Sequence, residues 1–450
     1  MSRHLRLKSD FVFFYVVDGV WALARTPFFI YLCTKIHKTK MSVNWKKNTA
    51  LFLTGQALSL FGTMVVQYAI LWHITLKTQS GTMMTLITAL AFLPMFFISP
   101  FAGVWADRFN RKYVINLSDG AVAFVSLLAA LFIMAGFDGI VVLSCCTVIR
   151  SFGQGVQTPA VGAFIPDIVP QEYLMKINGM QSSIHSVVAL TAPAISGAMM
   201  TVAPLEILFF LDVVTAAIGI GIVLFLVKTP EKTPVAGTPE HKSAAYFHDL
   251  KEGMKYIRRH GYVLRMIILS AVFLFFFAPA AILTPLQVTR NFGDEVWRLS
   301  AIEIVFSVGM MAGGILIGVW GGFKNRMYTM TLSCVLCGVL TVCLGIASDF
   351  LPYLVIMALL GISVPLWNAP SMVLLQTTVE PAFMGRVLSV FTMVTATTMP
   401  LGMVVFGPVA DIISIDIILI VTGVVVALPA IPMMTSRTLR EAGRLNTNSL

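Results

Sequence analysis

Charge is what this chain of 450 residues has least of: Asp, Glu, Lys and Arg make up 12% of it, against 57% apolar residues. An ordinary soluble domain carries about twice that share of charge, so a water-soluble globular protein is excluded. Cysteine is scarce too. The six, Cys33, Cys145, Cys146, Cys334, Cys337 and Cys343, all lie within or beside apolar runs. Cys334 and Cys337 form a lone CxxC with no second pair and no flanking histidine, so they read as packing residues rather than a zinc or redox site. HExxH, GxSxG, a Walker A sequence and clustered His/Asp sets are all missing. A membrane-embedded enzyme would have neither nucleophile nor metal centre here, and this chain alone has no ATP site to drive export. Nothing resembles a selectivity filter, which disfavours a passive channel.

What is present is long apolar runs. About 20 residues of helix cross the roughly 30 Å hydrocarbon core, and these runs are too long for barrel strands. The fold class is therefore an all-α polytopic membrane protein. From Thr49 onward twelve spans are expected, at 49–73, 82–104, 113–135, 139–161, 177–200, 207–228, 263–289, 299–320, 327–347, 352–375, 387–410 and 412–434. Most connections are short. The exception, 229–262, opens as a Pro/Thr linker and ends as a basic segment with helical character at the membrane surface. It divides the chain into a six-helix bundle at 41–228 and a second at 263–436, followed by a tail at 437–450.

The net charge of +10 fits loops facing anionic lipid better than nucleic acid. With Lys46 and Lys47 in the cytoplasm, alternation places Arg108, Arg111, Lys112, Lys176, the basic central loop, Lys324, Arg326, Arg386 and the tail on the same side. Only Lys77, Arg290 and Arg298 fall outside. Both termini are thus expected in the cytoplasm of a multi-pass cell-membrane protein. Residues 1–40 fit poorly, because their apolar stretch carries Asp18, Arg25 and Pro27 and is basic on both flanks. Met41 opens "MSVNWKKNTALFL", a normal lead into a first helix, and is the expected start of translation.

The chain also repeats itself. GVW at 103–105 recurs at 318–320 and Asn110-Arg111 recurs at Asn325-Arg326, in one register, each between the second and third helix of its six. One connection later, Pro159 answers Pro370 and Lys176 answers Arg386. Two related six-helix halves with a substrate site between them are the construction of a secondary transporter.

The layout resembles the major facilitator superfamily. Its loop signature after the second helix runs glycine, two residues, a small residue, Asp-Arg, then Arg-Lys. Gly103, Ala106, Asp107, Arg108, Arg111 and Lys112 match it, with Asn110 in place of the second glycine. "GQALSLFG…YAILW", the Arg150 region and "GGILIGVWGGF" are most similar to the bacterial drug-exporter branch that contains the macrolide-efflux proteins. The resemblance implies twelve helices in two pseudo-symmetric bundles, and a latch role for Asp107 in the outward-facing state. Placed where a helix meets the cytoplasmic interface, Asp107 can accept hydrogen bonds from an arginine or helix N-terminus of the other half. Arg108, Arg111 and Lys112 are expected to anchor lipid phosphate and support the latch.

Ionisable groups within the bilayer are costly and mark function. Arg150, in "CCTVIRSFGQG", resembles the family's fourth-helix arginine, which implies proton coupling, although Gly153 and Gly155 stand one place early. A buried structural ion pair is the alternative. The acids available to pair with it or to carry protons are Asp119, Asp212 and Glu303, the last two near outer helix ends where solvation is also open. In the fifth span Ala192-Pro193 followed by Gly197 is similar to the antiporter signature, with alanine for its first glycine. The physical reading is a Pro-induced bend with small residues at the half interface. His185 in the same helix reads as hydrogen-bonded to a neighbour rather than as a proton site. Gln56 and Gln67 share a face of the first helix and can serve a substrate or a neighbouring helix; Phe276 with its flanking phenylalanines, and the 25 methionines, suit an adaptable apolar cavity. The expectation is a monomeric proton-coupled exporter of amphiphilic small molecules such as macrolides, with no cofactor or metal beyond the proton gradient. Export of a siderophore or endogenous metabolite is the alternative.

Overall fold

The apolar runs fold as twelve helical spans: α1 Trp45–Thr78, α2 Gly81–Ser99, α3 Arg111–Met134, α4 Gly139–Ile168, α5 Lys176–Val202, α6 Leu205–Leu226, α7 Gly261–Asn291, α8 Val296–Trp320, α9 Arg326–Ile346, α10 Phe350–Thr378, α11 Met384–Val409 and α12 Ile415–Thr435. The computed structural model describes residues 45–137, 139–170, 173–228, 252–380 and 383–443, with only the backbone at 100, 103, 104, 106–108, 175 and 442. The extension 1–40, its Met41 start, Cys33, most of the central connection, and the side chains of Gly103, Asp107 and Arg108 therefore lie outside the described residues. Of the unit Met1–Lys47 only Trp45–Lys47 is described, and Asn48–Leu450 forms one compact unit.

Alternating spans put the α2–α3 and α8–α9 turns at one face, called here the basic face after Arg111, Lys112, Lys324 and Arg326. The α1–α2, α7–α8 and α11–α12 turns lie at the opposite, far face. Helix contacts repeat between the halves: α2 packs on α4 as α8 packs on α10, and α3 on α6 as α9 on α12. The halves meet along two equivalent seams, α5 with α8 and α11 with α2. Each pairing maps onto its partner when six is added to the helix number, so the repeat in the sequence is a two-fold relation in space.

The duplicated phrase has a local cause. Asn110 caps α3 by accepting a hydrogen bond from the Lys112 N–H (3.1 Å), and Asn325 caps α9 by accepting one from the Met327 N–H (3.0 Å). An asparagine there satisfies one of the four amide groups left open at a helix start. The copies differ at the preceding helix end. The helix of α2 continues through Arg108, whereas α8 stops at Trp320 and turns on Gly321 and Gly322, with φ of 73° and 76°. Left-handed backbone favours glycine, so the second copy replaces the Ala106-Asp107 pair with two glycines.

Three of the described spans are broken at a proline, α12 among them, which divides into Ile415–Ala427 and Ala430–Thr435 at Pro429. α7 is a helix Gly261–Ile282 and a second piece Thr284–Asn291 led by Pro285, and α10 divides into Phe350–Ser363 and Pro365–Thr378. Proline has no N–H to continue the preceding ladder. The described end of the central connection is helical at 252–259 and docks on the second half. There Glu252 pairs with Arg386 (2.7 Å) and Tyr256 stacks on Phe383, ring centroids 4.7 Å apart. In α9, Cys334 and Cys337 are fully buried, and the Cys334 thiol donates to the Val426 carbonyl of α12. The CxxC thus packs one helix on another.

Candidate functional site

Arg150 stands on α4 and Asp212 on α6, both deep in the first half. Their side chains meet at 2.5 Å, with Arg150 5% and Asp212 0% exposed. Two helices that must hold opposite charges in hydrocarbon gain most by facing them, since either charge alone would cost several kcal/mol. The remaining valences are filled from α1 and α3. Ser126 donates to the Asp212 carboxylate (2.8 Å) and also meets Arg150, Thr63 donates to the other carboxylate oxygen (3.4 Å), and Arg150 donates to the Thr63 carbonyl (3.1 Å). Of the three acids the sequence offered as partner for Arg150, the structure brings Asp212, which is fully buried rather than solvated.

Asp119 lies in a separate cluster toward the basic face. It is 6% exposed and accepts from Ser59 (2.9 Å) and from the Gln157 amide (2.6 Å), which also reaches the Gln56 oxygen at 3.3 Å. Ser59 and Gln157 are neutral donors, unlike the arginine that faces Asp212. Gln154 and Gln157 were not singled out from the sequence, although a signal existed. Arg150, Gln154 and Gln157 recur at the i, i+4, i+7 spacing of one helix face.

Between the halves lies a cavity of about 240 Å³. Gln67 of α1, Thr88 of α2 and Arg150 and Gln154 of α4 form one wall; Pro285 of α7 and Glu303 of α8 close it from the second half. Glu303 makes no hydrogen bond or ion pair with any described residue, which sets it apart from Asp119 and Asp212. A second cavity of about 180 Å³ adjoins it between α1, α4 and α5; Gln56 and His185 line it, and Gln154 belongs to both. Two expectations are corrected here. Phe276 is absent from both linings and packs instead against Phe275 and Phe406, with centroids 5.2 and 6.0 Å away, between α7 and α11. His185 is exposed to the second cavity without a hydrogen bond to any described residue, where a bonded neighbour was expected.

The basic-face cations have partners within the protein. Arg111 donates to the Asp167 carboxylate (2.9 Å) and the Ala163 carbonyl (2.8 Å) near the end of α4, and Lys112 donates to the Val227 carbonyl (2.7 Å) after α6. They tie α3 to its own half.

The far face holds a clamp that the sequence did not disclose. Asp411, just past α11, accepts hydrogen bonds from the amides of Gly81 (2.6 Å) and Thr82 (2.9 Å) and from the hydroxyls of Ser80 (2.8 Å) and Thr82 (2.6 Å). It therefore caps the N-terminus of α2 from the other half, where the helix dipole favours an anion. Arg290, at the end of α7, bonds Asp411 (3.1 Å) and the carbonyls of Gln79 (2.6 Å) and Ala410 (2.5 Å). Beneath it, a Cβ on Gly81 would stand 2.1 Å from the Gly407 carbonyl, and Thr85 donates to the Met403 carbonyl (3.2 Å). On the other seam, a Cβ on Gly197 of α5 would lie 1.6 Å from the Ser300 hydroxyl of α8. Pro193 sits one turn before it inside the same helix. Gly197→Ala is expected to force the seam apart and abolish most transport while Ser300→Gly in the same chain restores part of it, read as substrate flux in cells at matched expression. An alanine variant with full flux would show that the seam has slack.

A family model for the Major Facilitator Superfamily matches residues 52–403. Macrolide efflux protein A of Streptococcus pyogenes is 28% identical over 392 residues, 86% of this chain and 95% of that protein. The multidrug efflux pump Tap of Mycobacterium bovis is 26% identical over 80% of this chain and 86% of that protein. Among solved structures, a D-xylose–proton symporter shares the fold with a TM-score of 0.65 at 13% identity, covering 88% of this chain and 98% of that one. The paired seams and the family match over most of its length thus agree: the chain belongs to the Major Facilitator Superfamily, as a multi-pass membrane transporter rather than an enzyme.

Proposed function

We propose that this transporter is a proton-coupled exporter of amphiphilic small molecules, macrolides among them, working by alternating access in the cell membrane with both termini cytoplasmic. The observation that carries the reading is Glu303: a carboxylate in the cavity between the halves, with no cation or hydrogen-bond donor among the described residues. In a low-dielectric site one carboxylate holds one positive charge, either a proton or the ammonium of a basic amphiphile. Entry of the substrate's charge displaces the proton, and loss of the substrate allows the proton back, which is antiport. Arg150 and Asp212 neutralise one another and hold the neighbouring wall in place, while Asp119 is a second carboxylate available to the proton. Apolar lining from Ile70, Leu71 and Ile87 suits the rest of an amphiphile.

The basic face is read as cytoplasmic from its lysines and arginines, so the clamped far face makes this the inward-facing state. Asp107 is its counterpart for the outward-facing state. The first residue before α11, Phe383, gives that helix no side-chain cap, and the end of α2 is where a carboxylate could supply one. Sequence similarity to macrolide and multidrug efflux proteins supports the substrate class.

The test is drug accumulation in an efflux-deficient bacterium with and without this gene. Expression is expected to lower macrolide accumulation, a protonophore to abolish the difference, and Glu303→Gln to remove it without loss of protein from the membrane. Efflux that persists with the gradient collapsed, or undiminished in Glu303→Gln, would overturn the coupling.

A further inference from the structure

The second cavity differs in chemistry from the one that holds Glu303. Amides dominate it: Gln56 from α1, Gln154 and Gln157 from α4 and Gln181 from α5, with Thr158 and His185 beside them. No carboxylate or basic aliphatic side chain lines it, and Asp119 is engaged behind Gln157 rather than in the wall. Few of these polar groups are spent on the protein. The Gln157 amide nitrogen is committed to Asp119 and Gln56, which leaves the Gln157 oxygen as an acceptor. The Gln56 oxygen accepts from Gln157. Gln154, Gln181, Thr158 and His185 make no hydrogen bond to any described residue.

Unpaired amides at membrane depth are expensive, and a cavity in which Gln154 and Gln181 have no partner among the described residues needs an occupant that both donates and accepts. Neutral hydroxyl groups do this; an ammonium only donates and a carboxylate only accepts. Size points the same way. Neither cavity alone reaches the roughly 300–1,000 Å³ of a drug-sized site, whereas the two joined at Gln154 do. We propose that the glutamine-lined cavity is a subsite for a neutral, hydroxyl-rich group such as a glycosyl ring, carried by a substrate whose basic and apolar parts occupy the Glu303 cavity. Selection is then bipartite, with charge read by the second half of the transporter and hydroxyls by the first. This rests on the export of amphiphiles proposed above and adds which group on them is recognised.

The probes are a macrolide that bears a basic amino sugar and a neutral sugar, and the same lactone stripped of the neutral sugar alone, titrated against the purified full chain in lipid nanodiscs. The wild type is expected to bind the intact macrolide about tenfold more tightly, the scale of one or two net hydrogen bonds. Gln181→Leu and Thr158→Val, at side chains with no described partner to lose, should erase most of that preference and leave the stripped lactone's affinity unchanged. Variants that weaken both ligands equally, or neither, overturn the subsite, as does a wild type without preference for the sugar. Cellular efflux separates this from the export reading. Gln181-dependent binding without efflux keeps the subsite and removes the export, and efflux with no such dependence does the reverse.

Discussion

Asp212→Ala is expected to leave Arg150 charged and unpaired in the core of the first half, and the chain should largely fail to fold in the membrane. Asp212 is 0% exposed and supplies the ion pair together with the acceptors for Ser126 and Thr63, so no water replaces it. Breaking one side of a buried pair costs about 3–5 kcal/mol, a large part of a typical total of about 5–15. The measurement is the melting temperature of the solubilised protein, with the folded yield. The double variant Arg150→Met with Asp212→Leu distinguishes structure from coupling. Exchanging a buried ion pair for apolar groups of similar volume is often neutral, so this variant should fold near wild type. Its drug efflux should nonetheless be lost, because the polar wall that Arg150 gives the Glu303 cavity becomes apolar. A double variant that both folds and exports normally would reduce the pair to a structural device.

Asp411→Ala should have the second-largest effect, on conformation instead of folding. The carboxylate joins the N-terminus of α2 to Arg290, and its loss opens the far-face clamp at one stroke. Hydrogen bonds to a charged group contribute about 1.5–3 kcal/mol each when protected, and solvent access at the clamp lowers that. About 2–3 kcal/mol for the set shifts the balance between the two gates on the order of a hundredfold. A cysteine at Ala281, in the wall of the cavity, should then react with an impermeant thiol reagent from outside, in a chain whose native cysteines are replaced. Asp107→Ala in the same background should do the opposite, and unchanged labelling in both would remove the paired latches. The clamp should also ignore pH. Partial burial pushes the Asp411 carboxyl up, but hydrogen bonds from Thr82, Gly81 and Ser80 outweigh this and hold it well below the usual carboxylate range. A depressed carboxyl contributes fully above its unfolded pKa and is lost only as pH falls through its folded one, so the ratio of labelling between Asp411→Ala and its parent, in which the thiol's own pH dependence cancels, should be flat from about pH 5 to 8.

Hydropathy alone makes the twelve spans legible, because a bilayer admits few ways to satisfy backbone amides. The Asn110 and Asn325 caps were visible as a repeat before their purpose was. Arg150 stood out as a buried cation, and Asp212 was among its candidate partners. The choice among them depends on which residues of α6, α3 and α8 face α4, which helix spacing within one segment does not encode. The clamp was hidden for a different reason. Asp411 sits in a short far-face turn and Arg290 at the far end of α7, where a charge reads as solvated, and only the tertiary approach of α2 to α11 turns the carboxylate into a cap. The helix-end partners of Arg111 and Lys112 were hidden in the same way: a cation next to lipid and one bonded to a neighbouring helix end look identical in sequence. Phe276 shows the limit of aromatic runs, which mark an apolar helix without saying what it faces.

The α2–α11 seam also determines what happens in the instant it parts. Gly81 and Gly407 meet through backbone, Thr85 offers a hydroxyl, and Asp411 and Arg290 close the top. Met84 of α2 is fully buried in the apolar core of the second half with Met403 and Ala410, so parting the seam also uncovers apolar surface, at roughly 25 cal/mol per Å². The groups released beside it, the Thr85 hydroxyl, Asp411 and Arg290, can each bind water, which offsets part of that cost. The polar rim wets first, and the seam opens from its aqueous end inward.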